Sequence, residues 1–285
     1  MQSAFTLAEN IKPRLANDFQ RKLLAASLQS AQDVLNPLRL NNFSTSFREL
    51  TRHVFLELAP DNLVALAPWF VPDLTNKGRP TRAQKVSYVV HGGLDPTYVE
   101  DELGLDIAAE RKALLEVIDQ FSKFTHVNED SFDCSPEEVE YHVYAACKAL
   151  QSFLDCSDDA RTRLCDEVEE KIHYEVVSEA ISETILSLDE IAAHHYIDEV
   201  YVHQIEVVSL NHEEIRFIAH GSIKVQLQWG SNSDVRRGDD TVILDFFPLI
   251  CNLASQVESP EDLRVIDNSL CVDTSSWWDG YYDHQ

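Results

Sequence analysis

The spacing of apolar residues changes near residue 196, and the change predicts two kinds of structure in this chain. Before it, apolar positions recur every three or four residues, as on one face of an α-helix. The clearest case is the helix predicted for about residues 107–126, whose apolar stripe is Leu114, Val117, Ile118, Phe121 and Phe124. Residues up to 195 are therefore predicted to form helices.

Capping signals divide this helical part. The pattern predicts a first helix over about 6–34, with Pro13 bending or restarting it. Ser46 to Glu49 fits a capping box, which predicts that the second helix begins near 44–46. Asp95-Pro96 and Ser135-Pro136 each place an N-cap residue before a proline at the first helical position. A further helix with a dense acidic face is predicted over about 157–193.

After Tyr196 the apolar residues follow a strand-like period. Strands are predicted over about 200–210, 215–229 and 242–257, with short closing segments near 263–266 and 270–272. The fold class predicted is α+β: an all-α bundle over residues 1–195, followed by a small antiparallel β domain over 196–285 that ends in an acidic aromatic tail.

The charge of the chain is large and unevenly distributed. The 285 residues carry a formal charge of −26, which argues against a general binder of double-stranded DNA. Residues 1–95 contain 11 basic and 8 acidic residues and are thus +3, which leaves −29 for the remainder. Only the first third is expected to face a polyanion.

Location and redox state follow from what the sequence lacks. It has no apolar leader and no run of about 18 apolar residues, so we expect a cytoplasmic protein without a membrane span. Its six cysteines form no Cys-x-x-Cys pair, so reduced thiols are expected, with neither a metal site nor a cofactor.

One motif in the basic segment carries candidate chemistry. Arg48-x₄-His53 resembles the Arg-x₄₋₆-His signature of the HEPN (higher eukaryotes and prokaryotes nucleotide-binding) superfamily. The resemblance implies an all-α bundle and a metal-independent endoribonuclease, with Arg48 and His53 as the catalytic pair and Glu49 in the polar position after the arginine. It also implies a composite site at a homodimer interface.

The residue types suit RNA cleavage. A histidine with a near-neutral pKa can take the proton of the 2′-OH, while an arginine stabilises charge on the phosphate, which gives a 2′,3′-cyclic phosphate and a 5′-OH. Positions five apart on a helix are separated by about 140°, so the pair converges only if Arg48 bends round or a second subunit completes the site. An ordinary surface helix with Glu49–His53 contacts is the structural alternative.

Further residues are candidates for binding the RNA. Arg52 shares the Arg48 face, and Lys123, His126 and Asn128 follow the predicted helix of 107–126. His126 could equally cap the end of that helix. Together with segments 41–53, 121–128, 227–239 and 275–279, these residues resemble bacterial proteins described as predicted nucleases associated with prokaryotic PIWI proteins. That resemblance implies a role in defence against phage or plasmids.

Two alternatives stay open at this stage. The acidic surface also fits a non-catalytic interaction or regulatory protein of a defence system, which would bind a basic partner. The loop of 234–240, with its three aspartates, could instead serve a metal-dependent nuclease, although local ion pairs with Arg236 and Arg237 explain it as well. Trp277, Trp278 and the tyrosines after them could anchor a partner or dock on the sheet.

Overall fold

A computed structural model describes residues 1–229 and 242–279, apart from the side chain of Asp130. It combines helices with one antiparallel sheet, which confirms the mixed helical and β class. The chain forms two compact units, Met1–Ala160 and Arg161–Gln285. Within the described residues, no helix is both long enough and apolar enough to cross a membrane.

The first unit is helical. Its elements are α1 (Gln2–Ile11), α2 (Asp18–Gln32), α3 (Arg39–Leu58), α4 (Asp61–Val64), α5 (Arg82–His91), α6 (Pro96–Asp101), α7 (Ala108–Phe124) and the first half of α8 (Pro136–Ser182). Two predicted caps are confirmed. The Asp95 carboxylate accepts the backbone N–H of Thr97 at 2.8 Å, and Ser135 exchanges hydrogen bonds with Glu138 at 2.9 and 3.2 Å.

Aromatic side chains fill the centre of this unit. α3 packs against α2, α5 and α7. Phe121 of α7 lies edge-on to Phe43 and Phe47 of α3, with ring centroids 5.5 and 5.8 Å away. All three rings are buried, so their burial and mutual packing fix α7 against α3.

The first predicted helix restarts at Pro13, as the sequence allows: Lys12–Arg14 forms a 3₁₀ turn, and Asn17 then caps α2. Two other helix boundaries differ from the sequence predictions. The Ser46 capping box is wrong: α3 begins at Arg39, and the Ser46 hydroxyl donates to the Asn42 carbonyl inside the helix. α8 continues unbroken for 47 residues where two helices were predicted.

The second unit contains the end of α8, the short α9 (Leu186–Asp189), the sheet and a last helical turn at Ser276–Asp279. Its strands are β1 (His194–Leu210), β2 (Glu214–Gln228), β3 (Val242–Gln256), β4 (Ser259–Val265) and β5 (Cys271–Val272). They pair in the order β1-β2-β3-β4, and β5 also pairs with β3. The change from helix to strand falls at His194, while the units divide after Ala160, so the domain boundaries 1–195 and 196–285 stay a prediction.

β1 carries a regular series of bulges. Its pairing with β2 shifts at Asp198, His203 and Val208, so one residue in every five on β1 has no partner on β2. Each extra residue shifts the alternation of side chains by one position. Apolar residues that stay on the less exposed face must therefore be separated by two and by three positions in turn. The sequence has this spacing in Ile197, Val200, Val202, Ile205, Val207 and Leu210.

Gly221 of β2 allows the backbones of β1 and β2 to approach closely. A Cβ at this position would lie 2.0 Å from the carbonyl oxygen of Tyr201, a distance that no side chain tolerates. Gly221 pairs with Val202, beside the bulge at His203. The glycine is therefore required by the close approach of β1 and not by a turn.

Candidate functional site

The side chains of the predicted catalytic motif lie on the second half of α3. Arg48, Glu49 and His53 are half-buried, whereas Arg52 is exposed. The Arg52 guanidinium donates from Nε to Glu49 Oε2 at 2.8 Å and contacts His53 Nε2 through Nη2 at 3.0 Å. Because arginine only donates, this contact is a hydrogen bond when His53 Nε2 is the acceptor.

A groove of about 760 Å³ runs along this face of α3. It is bounded by α3, the segment of residues 73–83, the start of α5 and one side of α7. Its cationic lining residues are Arg48, Arg52, Arg82 and Lys85. Arg82 and Lys85 were missed by the sequence analysis, although the available signal was two basic residues within four positions of the Thr81 helix cap, in the +3 segment.

Three of these four cations are already paired. Arg52 binds Glu49, Arg82 binds Asp119 at 3.1 Å, and Lys85 binds Asp61. Arg48 has no hydrogen bond or ion pair from its side chain within the described ranges. A half-buried guanidinium without a carboxylate has unused N–H donors, which suits it to bind an anion that enters the groove.

His53 lies on a different side of α3 from the groove. Its ring is edge-on to Phe19 of α2, with centroids 4.9 Å apart, and Gln20 of α2 donates to its backbone carbonyl at 3.2 Å. His53 does not line the groove, so the structure does not bring Arg48 and His53 into one cavity. Arg52 is the side chain that connects them, because it lines the groove and contacts His53.

The predicted RNA-binding residues of the second segment lie elsewhere. Asn41 in the first turn of α3 donates to the Phe124 carbonyl at 2.8 Å, which places the turn after α7 beside the start of α3. The 12 residues from Asn41 to His53 correspond to about 18 Å of helix. Lys123 and His126 are exposed there and do not line the groove, although Asp119, one helical turn before Lys123, does.

Asn128, near the same end of α3, caps a short turn. Its side chain accepts the backbone N–H of Ser131 at 3.1 Å, and the Ser131 hydroxyl in turn accepts the backbone N–H of Asn128. The reciprocal pair caps a short 3₁₀ turn. Asn128, like its two neighbours, therefore lies apart from the groove.

The remaining candidates belong to the second unit. The loop of 234–240 and the tyrosines of the tail lie outside the described residues. Trp277 stacks on Trp229, with ring centroids 5.6 Å apart, and Trp229 donates its indole N–H to the Ile191 carbonyl. Among residues 1–229 and 242–279, no three His, Cys, Asp or Glu side chains are placed to hold a metal ion.

Burial raises the pKa of three cysteine thiols. It raises the pKa of Cys147 to about 12, and those of Cys165 and Cys251 to about 11. At neutral pH these side chains stay protonated, so they are poor nucleophiles and poor metal ligands. They act as small apolar groups, as expected for buried cysteines.

Comparison with protein-family models finds two matches. Residues 12–150 match a family described as "Predicted pPIWI-associating nuclease", and residues 157–278 match a second family with the same description. Both units thus have a counterpart in such families, which supports a nuclease family of that kind for this chain. No curated protein and no solved structure matches it.

Proposed function

We propose that the protein is an endoribonuclease that cleaves RNA without a metal ion, through Arg48 and His53, in a prokaryotic defence system. The observation that carries the proposal is the Arg48 guanidinium, which has no ion-pair partner among the described residues and lines a groove that also contains Glu49, Asp73 and Asp119; Arg52 of the same groove contacts His53 at 3.0 Å. The resemblance of the Arg48-x₄-His53 motif to the HEPN signature, an assignment that the family matches leave open, points to the same two residues.

The proposed chemistry assigns one task to each side chain. Arg48 holds the scissile phosphate and stabilises the charge that develops on it. A phosphate in the groove also attracts Arg52 away from the His53 of its own chain, which frees that Nε2 to take the proton of a 2′-OH in the groove of a partner copy. The 2′-oxygen then attacks the phosphorus, the bond from phosphorus to the 5′-oxygen breaks, and the leaving oxygen takes a proton from solvent. Glu49 keeps Arg52 in place before the substrate arrives, through the ion pair of 2.8 Å.

The proposal includes a homodimer. Arg48 and His53 face different sides of one α3, so a partner copy would bring its His53 to the Arg48 groove. Binding would be local, because the +3 segment of residues 1–95 contains the groove while the remainder of the chain repels a polyanion. Such a site is selective for short, exposed RNA segments.

The test is cleavage of labelled RNA in the presence of EDTA. Wild type should cleave and leave a 2′,3′-cyclic phosphate, whereas Arg48→Ala and His53→Ala should each lose at least about 100-fold in rate. Arg264→Ala on β4 and His173→Ala on α8 change exposed residues of the same type outside the groove and should retain full activity. Cleavage that persists in both site variants and stops with EDTA would contradict the proposal and favour a metal-dependent site.

Mixing the two inactive variants tests the composite site. If Arg48 of one protomer works with His53 of the other, half of the dimers in an equal mixture are hybrids with one intact site of two, so activity returns to about a quarter of wild type. A site within one chain gives no recovery. If the protein cleaves RNA as a strict monomer, the dimer is excluded, but the assignment of Arg48 and His53 as the catalytic residues still stands.

A second candidate function is favoured by the charge of residues 96–285. Carboxylates are crowded near the end of α8: burial, and then Glu183, Asp267 and Glu175, raise the pKa of Glu179 above its usual range. Such a surface suits a basic protein partner, and the family description suggests a prokaryotic PIWI protein as that partner. Co-purification that weakens steeply between 0.1 and 0.5 M salt would support this function, because salt screens the attraction between charged surfaces. A variant with Glu175 and Glu183 changed to Gln should bind the partner less tightly.

A further inference from the structure

A second cavity in the helical unit adjoins the groove at Ala83, which lines both, and shares no other lining residue with it. It has a volume of about 250 Å³ and lies between α5, α6 and the start of α7. Most of its wall is apolar, formed by Trp69, Val99, Leu105 and Ile107 among others. This volume is slightly below the range of about 300–1,000 Å³ that is usual for small-molecule sites, so any occupant is small.

One corner of the cavity is polar. Ser87 and His91 are one helical turn apart on α5, and the Arg111 guanidinium of α7 donates to the Ser87 hydroxyl at 3.3 Å. His91 is only 3% exposed, yet its Nδ1 has no hydrogen-bond partner. Buried polar atoms in native proteins are almost always paired, so an unpaired one on a cavity wall indicates a group that is supplied from outside the chain.

The charges of the corner indicate the sign of that group. Arg111 is half-buried and has no carboxylate within ion-pair distance in the part of the chain that the structure describes. The indole of Trp69 is held by a hydrogen bond of 2.8 Å to the Gly92 carbonyl, and its ring lies 5.3 Å from the His91 ring. Glu100 also lines the cavity, and it would repel a second negative charge.

We propose that this cavity binds a small organic monocarboxylate with an aromatic or branched apolar body. The carboxylate contacts the Arg111 guanidinium, with the Ser87 hydroxyl and the His91 ring as further hydrogen-bond partners. The apolar body lies against Trp69 and the wall of Val99 and Leu105. The site is independent of the proposed RNA cleavage, since Arg48, Arg52 and His53 take no part in it.

Calorimetry with matched pairs of small ligands tests the proposal. The probes are benzoate, phenylacetate and indole-3-acetate, each compared with its neutral amide. At least one carboxylate should bind wild type about tenfold more tightly than its amide, and Arg111→Gln should abolish that preference. Lys112→Gln, which changes the exposed neighbour on α7, should leave it unchanged.

Glu100→Gln is a control for the possibility that Arg111→Gln loses binding only because it misfolds. Removing this charge should strengthen carboxylate binding several-fold, an improvement that a damaged fold does not produce. The proposal is overturned if no carboxylate is preferred over its amide, or if Glu100→Gln weakens binding. It is also overturned if inorganic phosphate or chloride competes equally well, which would mean an adventitious ion only. None of these three outcomes affects the RNase assay of the groove variants.

Discussion

Protonation of His91 should destabilise the protein below neutral pH. Burial lowers the pKa of His91 from the ordinary 6.5 to about 4, and the nearby Arg111 charge acts in the same direction. The neighbouring backbone of Leu94 and the charge of Asp95 oppose the shift and are outweighed. The folded protein therefore holds His91 neutral in a range where the unfolded chain protonates it.

The sign and size of the effect follow from linkage. Because the unfolded state binds more protons between the two pKa values, the stability from a neutral His91 is complete above pH 6.5 and is lost as the pH falls towards about 4. The two pKa values give a loss of about 2 kcal/mol by pH 5 and about 3 kcal/mol by pH 4. Losses of this size are a large part of the stability of an ordinary domain.

Urea denaturation at pH 7.5 and pH 5 measures this loss. Carboxylates also titrate in that range, so the measured quantity is the difference between wild type and His91→Gln, which keeps a polar side chain without the titration. The variant should lose about 2 kcal/mol less than wild type between the two pH values. Equal losses in both proteins would refute the argument, whatever the stability of the variant at pH 7.5.

Three further predictions concern packing and thiols. Gly221→Ala should lower the free energy of unfolding by about 1–3 kcal/mol, because its Cβ would lie 2.0 Å from the Tyr201 carbonyl oxygen; an unchanged urea midpoint would contradict this. Phe121→Ala should cost about 3–5 kcal/mol in the same assay, whereas Phe132→Ala, at a ring that is 51% exposed, should change stability by only about 0.5 kcal/mol. An aromatic disulfide reagent should label the exposed Cys271 first in native protein, and Cys271→Ser should remove that fast phase.

The helix signals that proved reliable were those in which side chain and backbone bond locally. Asp95 and Ser135 cap their helices as the sequence predicts, since each cap needs only the next two or three residues. Ser46 is a residue at which such a local signal fails. Its capping pattern is overruled because Phe43 and Phe47 are both buried against α7, and this tertiary packing extends α3 back to Arg39.

The candidate site was predictable only in part. The sequence indicates that Arg48 and Arg52 share a face, because that follows from helical geometry alone. It does not place Arg82 and Lys85 opposite them, since the groove forms only when α5 and α7 pack on α3. The bulges of β1 were also missed, although the alternating apolar spacing of two and three residues was visible before the fold.

The bulges of β1 have a consequence for how the protein behaves at high concentration. Within the described residues β1 is the end strand of the sheet. α8 lies beside its residues 202–207, and the rest of this 17-residue strand would offer another chain a row of unpaired backbone groups. An interruption every five residues leaves no straight stretch longer than four residues on which a second strand could extend the sheet. The exposed carboxylates of Glu199 and Glu206 add repulsion between copies. The same bulges that keep apolar side chains on the less exposed face therefore protect an open edge from aggregation.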